Sequence, residues 1–267
     1  MCTSINVDIG SIISQWTLPE DGMLLERLER MIQPALISGA FTLSATRVCG
    51  LQYHLGGAQD TEDLATLASI TSSDRVLDVC CFLGGPAVHL ASDYGCHVTG
   101  IDINGTVITA ATRIACLAKL DHLLEFQVAD ARQLPFPDGL FSVVWCQASA
   151  AHDDAWLQEF DRVLEPGGRL AMTIETRLPP HLWSLSAIAE RVAARGYSLL
   201  YVDDITQRDI EFGWRALDAR LTSNEASYTD ALGEAWVADA HQEFAKEIAR
   251  MHAEEWGNGR IVARKNA

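Results

Sequence analysis

Apolar positions along the chain change their period several times. From about residue 20 to residue 70 they recur every third or fourth position, through Leu24, Leu25, Leu28, Met31 and Ile32 and again from Thr61 to Ile70. That spacing predicts amphipathic helices. Between the two runs lies Gln52-Tyr53-His54-Leu55-Gly56-Gly57, whose paired glycines mark a tight turn. From residue 75 short apolar runs alternate with helical ones. Strands are predicted at Arg75–Cys80, His97–Ile103, Leu124–Val128, Phe141–Cys146, Arg169–Ile174 and Ser198–Val202. Helices are predicted at Gly84–Ser92, Thr106–Leu120, Ala155–Leu164 and Leu182–Arg195.

Strands that alternate with helices of about 10–15 residues indicate a parallel sheet covered on both faces. These strands lack polar alternation, as strands buried on both sides do. After Val202 the order changes: Asp209–Leu221 and Tyr228–Met251 read as two or three helices, and Gly259–Ala263 closes the chain as a last strand. The fold class is therefore α/β, a doubly wound, seven-stranded, mostly parallel sheet. It has helices before it and a helical lid expected over the carboxyl end of the strands.

The length of 267 residues suits one such domain with attached helices, and 48% hydrophobic residues describe an ordinary globular chain. The formal net charge of −16 narrows the partners. Such a surface repels phosphate backbones, so nucleic acid and anionic membrane surfaces are excluded as expectations, and a small molecule is the expected ligand. A homodimer stays open. Seven cysteines without a CxxC pair, no secretory leader and no apolar run of membrane-spanning length point to a reducing cytoplasm.

The chemistry concentrates in Val76-Leu77-Asp78-Val79-Cys80-Cys81-Phe82-Leu83-Gly84-Gly85-Pro86-Ala87: a strand ending in an acid, a turn, then two glycines opening a helix. In open α/β sheets, ligands bind beyond the carboxyl ends of strands where strand order reverses. A second acid, Asp102, closes the next strand, spaced as a carboxylate that accepts hydrogen bonds from ribose hydroxyls, with Ile103 after it. A third, Asp130, follows the third strand with Ala131, where an acceptor and a backbone group can meet an adenine edge. The G-x-G-x-x-G fingerprint of a dinucleotide-binding dehydrogenase is absent.

This stretch resembles the class I S-adenosylmethionine-dependent methyltransferases, in their small-molecule branch that includes the methyltransferase type 11-like and sarcosine-dimethylglycine methyltransferase-like proteins. Phe160-Asp161-Arg162-Val163-Leu164-Glu165-Pro166-Gly167-Gly168-Arg169-Leu170, Leu134-Pro135-Phe136-Pro137-Asp138, the ending Trp256 to Lys265 and the loop from Gln52 to Gly57 carry the same resemblance. It implies S-adenosyl-L-methionine as cofactor, with S-adenosyl-L-homocysteine as product, and a small-molecule methyl acceptor of a metabolite or natural product. The implied cofactor residues are Tyr53, Asp78, Cys80, Gly84, Gly85, Asp102, Ile103, Asp130, Ala131 and Cys146. The implied division is residues 1–60 as an N-terminal cap and entrance segment, 61–205 as the cofactor-binding core, 206–255 as the lid and 256–267 as the final strand. Cys80 and Phe82 stand where the family carries glycines. That departure supports an alternative, a methyltransferase fold with an altered or lost cofactor site.

Methyl transfer asks the protein mainly to position the acceptor and exclude water, with a base where the acceptor carries a proton. His152, after the fourth strand, is the candidate base, and His54, in the entrance loop, is the second catalytic candidate, expected to contact cofactor or substrate. Gln147 is expected to line the acceptor site, as are Trp183 and Trp214 if their helices turn them toward it. No metal site is expected, because His241 and His252 lack supporting ligands.

Overall fold

The structure is a computed structural model. It describes residues 51–267 apart from 53, 150–153, 178–182, 227–228 and 230–233. The helices predicted before residue 51, Tyr53, His152 and the side chain of Trp236 lie outside the described residues.

Seven strands form one sheet in the order β3-β2-β1-β4-β5-β7-β6. They are β1 (Arg75–Val79), β2 (His97–Asp102), β3 (Leu124–Val128), β4 (Phe141–Gln147), β5 (Leu164–Thr176), β6 (Tyr197–Asp204) and β7 (Gly257–Lys265). β7 alone runs antiparallel, inserted between β5 and β6. The central strands are mostly apolar because both faces are covered, and every residue of β4 is buried.

Strand alternation divides the core in two. Val76, Val98, Trp145, Ala171 and Val262 pack toward α1 (Gly57–Leu67), α2 (Gly85–Tyr94) and α3 (Gly105–Ala118), with Leu64, Leu90 and Ile114 from those helices. Leu77, Val144, Leu170 and Ile261 face the other way. They meet Phe160 of α4 (Asp154–Val163) and Ile188 of α5 (Leu185–Ala194). Asn104 starts α3 by accepting from the Thr106 N–H at 2.9 Å, and Gly95 ends α2 in the left-handed region.

Between β6 and β7 the chain is helical: α6 (Thr206–Asp209), a π-helical turn (Ile210–Trp214), α7 (Arg215–Ser223) and α8 (Glu234–His252). These helices enclose an apolar cluster of their own, with Ile210, Trp214, Phe244, Met251 and Trp256 at its centre. The sequence pattern predicts a plain helix from Asp209. The π turn arises where Gly213 lies against Leu55, so closely that a Cβ there would sit 2.9 Å from the leucine Cβ. A second departure is β5, which begins at Leu164 rather than Arg169. The Pro166-Gly167-Gly168 turn lies inside the strand as an irregularity in its pairing with β4.

Gly100 in β2 leaves room for the ring of Phe126, whose Cδ1 would lie 2.5 Å from an added Cβ, with Cys81 Sγ at 3.0 Å. Gly100→Ala is therefore expected to cost about 1–3 kcal/mol by overpacking. An unchanged urea midpoint would show that Phe126 swings aside freely.

Candidate active site

Strand order reverses at β1, which pairs with β2 on one side and β4 on the other, so a crevice opens beyond their carboxyl ends. Asp78, next to last in this central strand, is only 1% exposed, and its Oδ2 has no hydrogen-bond partner among the described residues. Burial, then the nearby Asp102, pushes its carboxyl up to about 8, against a smaller opposing effect of the Ala87 N–H. Asp102 closes β2. Its Oδ1 accepts from the Asn104 N–H at 2.9 Å and its Oδ2 from the Phe82 N–H at 3.2 Å. Each oxygen keeps a further lone pair. Two large apolar side chains stand in solvent at the ends of β2 and β3, Ile103 at 70% exposed and Val128 at 56%. Asp130 turns its Oδ1 to the Arg132 N–H at 2.9 Å, and Ala131 is buried below it.

The turn between β1 and α2 answers the question raised by Cys80 and Phe82. Both adopt left-handed backbone conformations, with φ of 59° and 50°, as does Gly84 at 76°. Such conformations cost an ordinary residue about 1–2 kcal/mol. Phe82 turns its ring onto the apolar cluster beneath α1–α3, and Cys80 leans on the cluster of the opposite face. The missing glycines thus leave the backbone path intact and send the side chains inward. Gly85 is held to glycine by contact, because a Cβ there would overlap the carbonyl oxygen of Leu51.

A buried polar network fills the neighbouring ground between α1, β4, β7 and α6. Asp60, 2% exposed, is its hub. Its Oδ1 accepts from Arg208 at 2.8 Å and from Arg260, and its Oδ2 accepts from the Gln147 amide at 2.6 Å. Arg208 also reaches Asp63 at 2.7 Å. His54 joins through Gln147 Nε2 at 3.3 Å on Nδ1 and Gln52 Oε1 at 2.9 Å on Nε2. Burial lowers its pKa, outweighing the opposing charge of Asp60, so the ring is neutral near pH 7. The sequence did not single out Asp60, Arg208 or Arg260, because no local spacing connects residues so far apart.

Several sequence candidates take places other than those expected. Gln147 has its whole amide engaged inside the protein, since its Oε1 also accepts from Thr61 and the Trp145 indole. It holds the network rather than offering a free group to an acceptor. Trp214 is 5% exposed, stacked among Phe244 and Trp256 in the helical cluster, which corrects the expectation that it lines the acceptor site. Trp183 packs beside α5 under the Arg191 guanidinium, 3.7 Å from its ring centre, so the two tryptophans do not converge. Cys146 is fully buried against Ser149, its thiol pushed up to about 12 by burial. Burial also raises the Cys80 and Cys81 thiols, which makes all three poor nucleophiles. Among the described residues, Glu62, His89 and Asp93 place ligand-type atoms near one another on α1 and α2. There His89 Nε2 and Glu62 sit 2.8 Å apart, an interhelical hydrogen bond.

The methyltransferase domain family matches residues 76–168, which contain β1 through the start of β5. The chain is 33% identical over 198 residues to the 27-O-demethylrifamycin SV methyltransferase of Amycolatopsis mediterranei, covering 73% of this chain and 71% of that one. The chain belongs to the class I S-adenosylmethionine-dependent methyltransferases. Its fold is that of the [4+2]-cyclase SpnF, at TM-score 0.65 and 25% identity over 79% of this chain and 81% of that one. It also matches Haemonchus contortus phosphoethanolamine N-methyltransferase 2 in complex with phosphomonomethylethanolamine and S-adenosylhomocysteine. There the TM-score is 0.73 at 19% identity, over 80% of this chain and 54% of that one. As a methyltransferase of the small-molecule type, the enzyme takes its methyl group from S-adenosylmethionine. The crevice fits that cofactor: a buried carboxyl with one unpartnered oxygen suits a cation, spare lone pairs on Asp102 suit hydroxyls, and Ile103 with Val128 suits a flat ring.

Two outcomes follow from this geometry. Asp60→Ala leaves the buried Arg260 with only the longer Asp63 contact, at 3.8 Å, and is expected to cost about 3–5 kcal/mol. Arg208→Ala, at a more exposed member, should cost about half that or less. Equal losses by chemical denaturation would dissolve the hub assignment. Phe82→Ala should destabilise by about 1–2 kcal/mol through lost packing. Its affinity for S-adenosylhomocysteine should change less than about threefold, since the ring faces the core. A large affinity loss would place the ring at the cofactor instead.

Proposed function

We propose that this methyltransferase alkylates a small metabolite or natural product, with the cofactor laid across the carboxyl ends of β1–β3 and the acceptor beyond β4 and β5. The observation that carries the cofactor placement is Asp78, a buried carboxyl with an unpartnered oxygen at the strand switch point. Asp78 would take the ammonium of the methionine portion, Asp102 the ribose hydroxyls, Ile103 and Val128 the faces of the adenine, and Asp130 with Ala131 its edge. Gly84 and Gly85 let the backbone approach closely, and Tyr53 belongs to the same expectation from outside the described residues. When bound, the sulfonium supplies an electrophilic methyl group that needs no further activation.

The chain's own task is to hold an acceptor in line and dry. The helices from Thr206 to His252 act as the lid, and Arg208 fastens them to α1 through Asp60 and Asp63. His54 is neutral but enclosed by Gln147, Gln52 and Thr61, so it positions the entrance segment. Proton removal from the acceptor then falls to His152, as the remaining candidate. The likeness to a 27-O-demethylrifamycin SV methyltransferase supports an acceptor of that kind.

A second reading keeps the cofactor but not the methyl transfer. The likeness to a [4+2]-cyclase favours it. Acceptor-dependent conversion of S-adenosylmethionine to S-adenosylhomocysteine decides between the two, because the second reading consumes none.

Calorimetric titration with S-adenosylhomocysteine tests the site directly. Asp78 is half-ionised near pH 8 in the free protein, and an ammonium needs its carboxylate. Affinity should therefore rise between pH 6 and pH 8 as protons leave Asp78. Asp78→Asn should bind about tenfold more weakly or worse, without that rise. Saturable binding that ignores both pH and the substitution would remove Asp78 from the site.

A further inference from the structure

The hydrogen bonds around Asp60 run on past the lid to the turn between β1 and α2. Gln52 Nε2 donates to the carbonyl oxygen of Gly85 at 3.1 Å, in the first turn of α2 and directly after the left-handed Gly84. With its amide nitrogen on that carbonyl, the oxygen of Gln52 is left to accept, and it lies 2.9 Å from His54 Nε2. That contact is shorter than the 3.2 Å between His54 Nδ1 and the Leu55 carbonyl, and it is met when Nε2 carries the ring hydrogen. Nδ1 then accepts from the Gln147 amide at 3.3 Å, whose other hydrogen goes to Asp60 Oδ2 at 2.6 Å. Asp60 Oδ1 takes Arg208, in the short helix that opens the lid.

Every link in this chain uses a hydrogen that has no second use. Asp60 and Gln147 are buried, and the His54 side chain is only 5% exposed, so water does not replace a lost partner there. Turning one amide or ring strands the next group, and such networks respond together. At the loop end the fit is tight as well. A Cβ on Gly85 would lie 2.1 Å from the Leu51 carbonyl oxygen and 3.0 Å from the Gln52 nitrogen, so the backbone at 51–52 rests on the first turn of α2. That turn also carries the Ala87 N–H that faces Asp78. Displacing it would move the group that meets the cofactor's methionine portion.

We propose that Gln52 is a positioning residue for the cofactor loop, joined through His54 and Gln147 to the Asp60–Arg208 latch, so that cofactor affinity depends on the lid being fastened. This rests on the methyltransferase reading and adds a regulation of the same site. Gln52 touches no cofactor atom in this scheme and acts through the Gly85 carbonyl.

The test is a double-substitution cycle on the full chain, read as S-adenosylhomocysteine affinity by calorimetric titration. Gln52→Met, which keeps the length and removes both bonding groups, should weaken binding about fivefold. Arg208→Ala, at the far end of the chain of bonds, should weaken it about threefold. The doubly substituted protein should lose about fivefold rather than about fifteenfold, because the second change breaks a connection already broken. Residues that merely stabilise the fold act independently, and their losses multiply. A cooperative urea transition shows that each variant is folded. Asp63→Asn loosens the same latch and replaces Arg208→Ala in the cycle if that variant does not fold. Losses that multiply, or an unchanged affinity in either single variant, overturn the proposal. Failure of the unsubstituted protein to bind S-adenosylhomocysteine would instead overturn the methyltransferase reading beneath it.

Discussion

A single buried carboxylate, Asp60, joins four elements that lie far apart along the chain. Its two oxygens receive Arg208 from the segment after β6, Arg260 from the antiparallel last strand and Gln147 from the end of β4. A charge so deep is tolerable only when several donors surround it. That condition couples four elements: α1 cannot shift without stranding Arg260, and α6 cannot lift without releasing Arg208. The glycines at 56 and 213 serve the same closeness. Gly56 would meet the Arg208 guanidinium at 2.8 Å if it carried a Cβ, and Gly213 would meet Leu55. The helical layer is therefore held over the sheet by one charge cluster as well as by its apolar contacts.

Asp78 shows the opposite treatment of the same chemical group. It is as deeply buried as Asp60, yet one oxygen has no donor among the described residues and the carboxyl holds its proton to about pH 8. Folding gains nothing from such an arrangement, since a neutral apolar residue would fill that strand end at lower cost. The contrast underlies the proposed cofactor site: a satisfied buried carboxylate holds elements together, and an unsatisfied one at a strand switch point offers a ligand its free oxygen.

The sheet, its helices and the three acids after β1–β3 were legible because each is written in local pattern. A buried parallel strand reads as a short apolar run, and an acid at its end stands out against that run. The Asp60 network was not legible, since Arg208 and Arg260 lie 148 and 200 positions away and nothing periodic links them to it. The tryptophans failed differently. Helical spacing shows that Trp214 belongs to an apolar face, but not whether that face meets an acceptor or Phe244 and Trp256. Gln147 was rightly placed at the end of β4, while the partners that consume its amide come from α1 and from its own strand.

The first loop makes the remaining point about glycine. Its absence at positions 80 and 82 looks, in the sequence, like damage to a cofactor site. In the fold those residues keep the left-handed turns that glycine would have made, and the Phe82 N–H still donates to Asp102. The conformational cost is of the order that a half-buried aromatic ring recovers by packing, and Phe82 packs against the core. A glycine is indispensable where a Cβ would strike backbone, as at Gly85 against Leu51. Where only the backbone angles require it, a residue whose side chain finds the core can replace it, and the path of the loop is preserved.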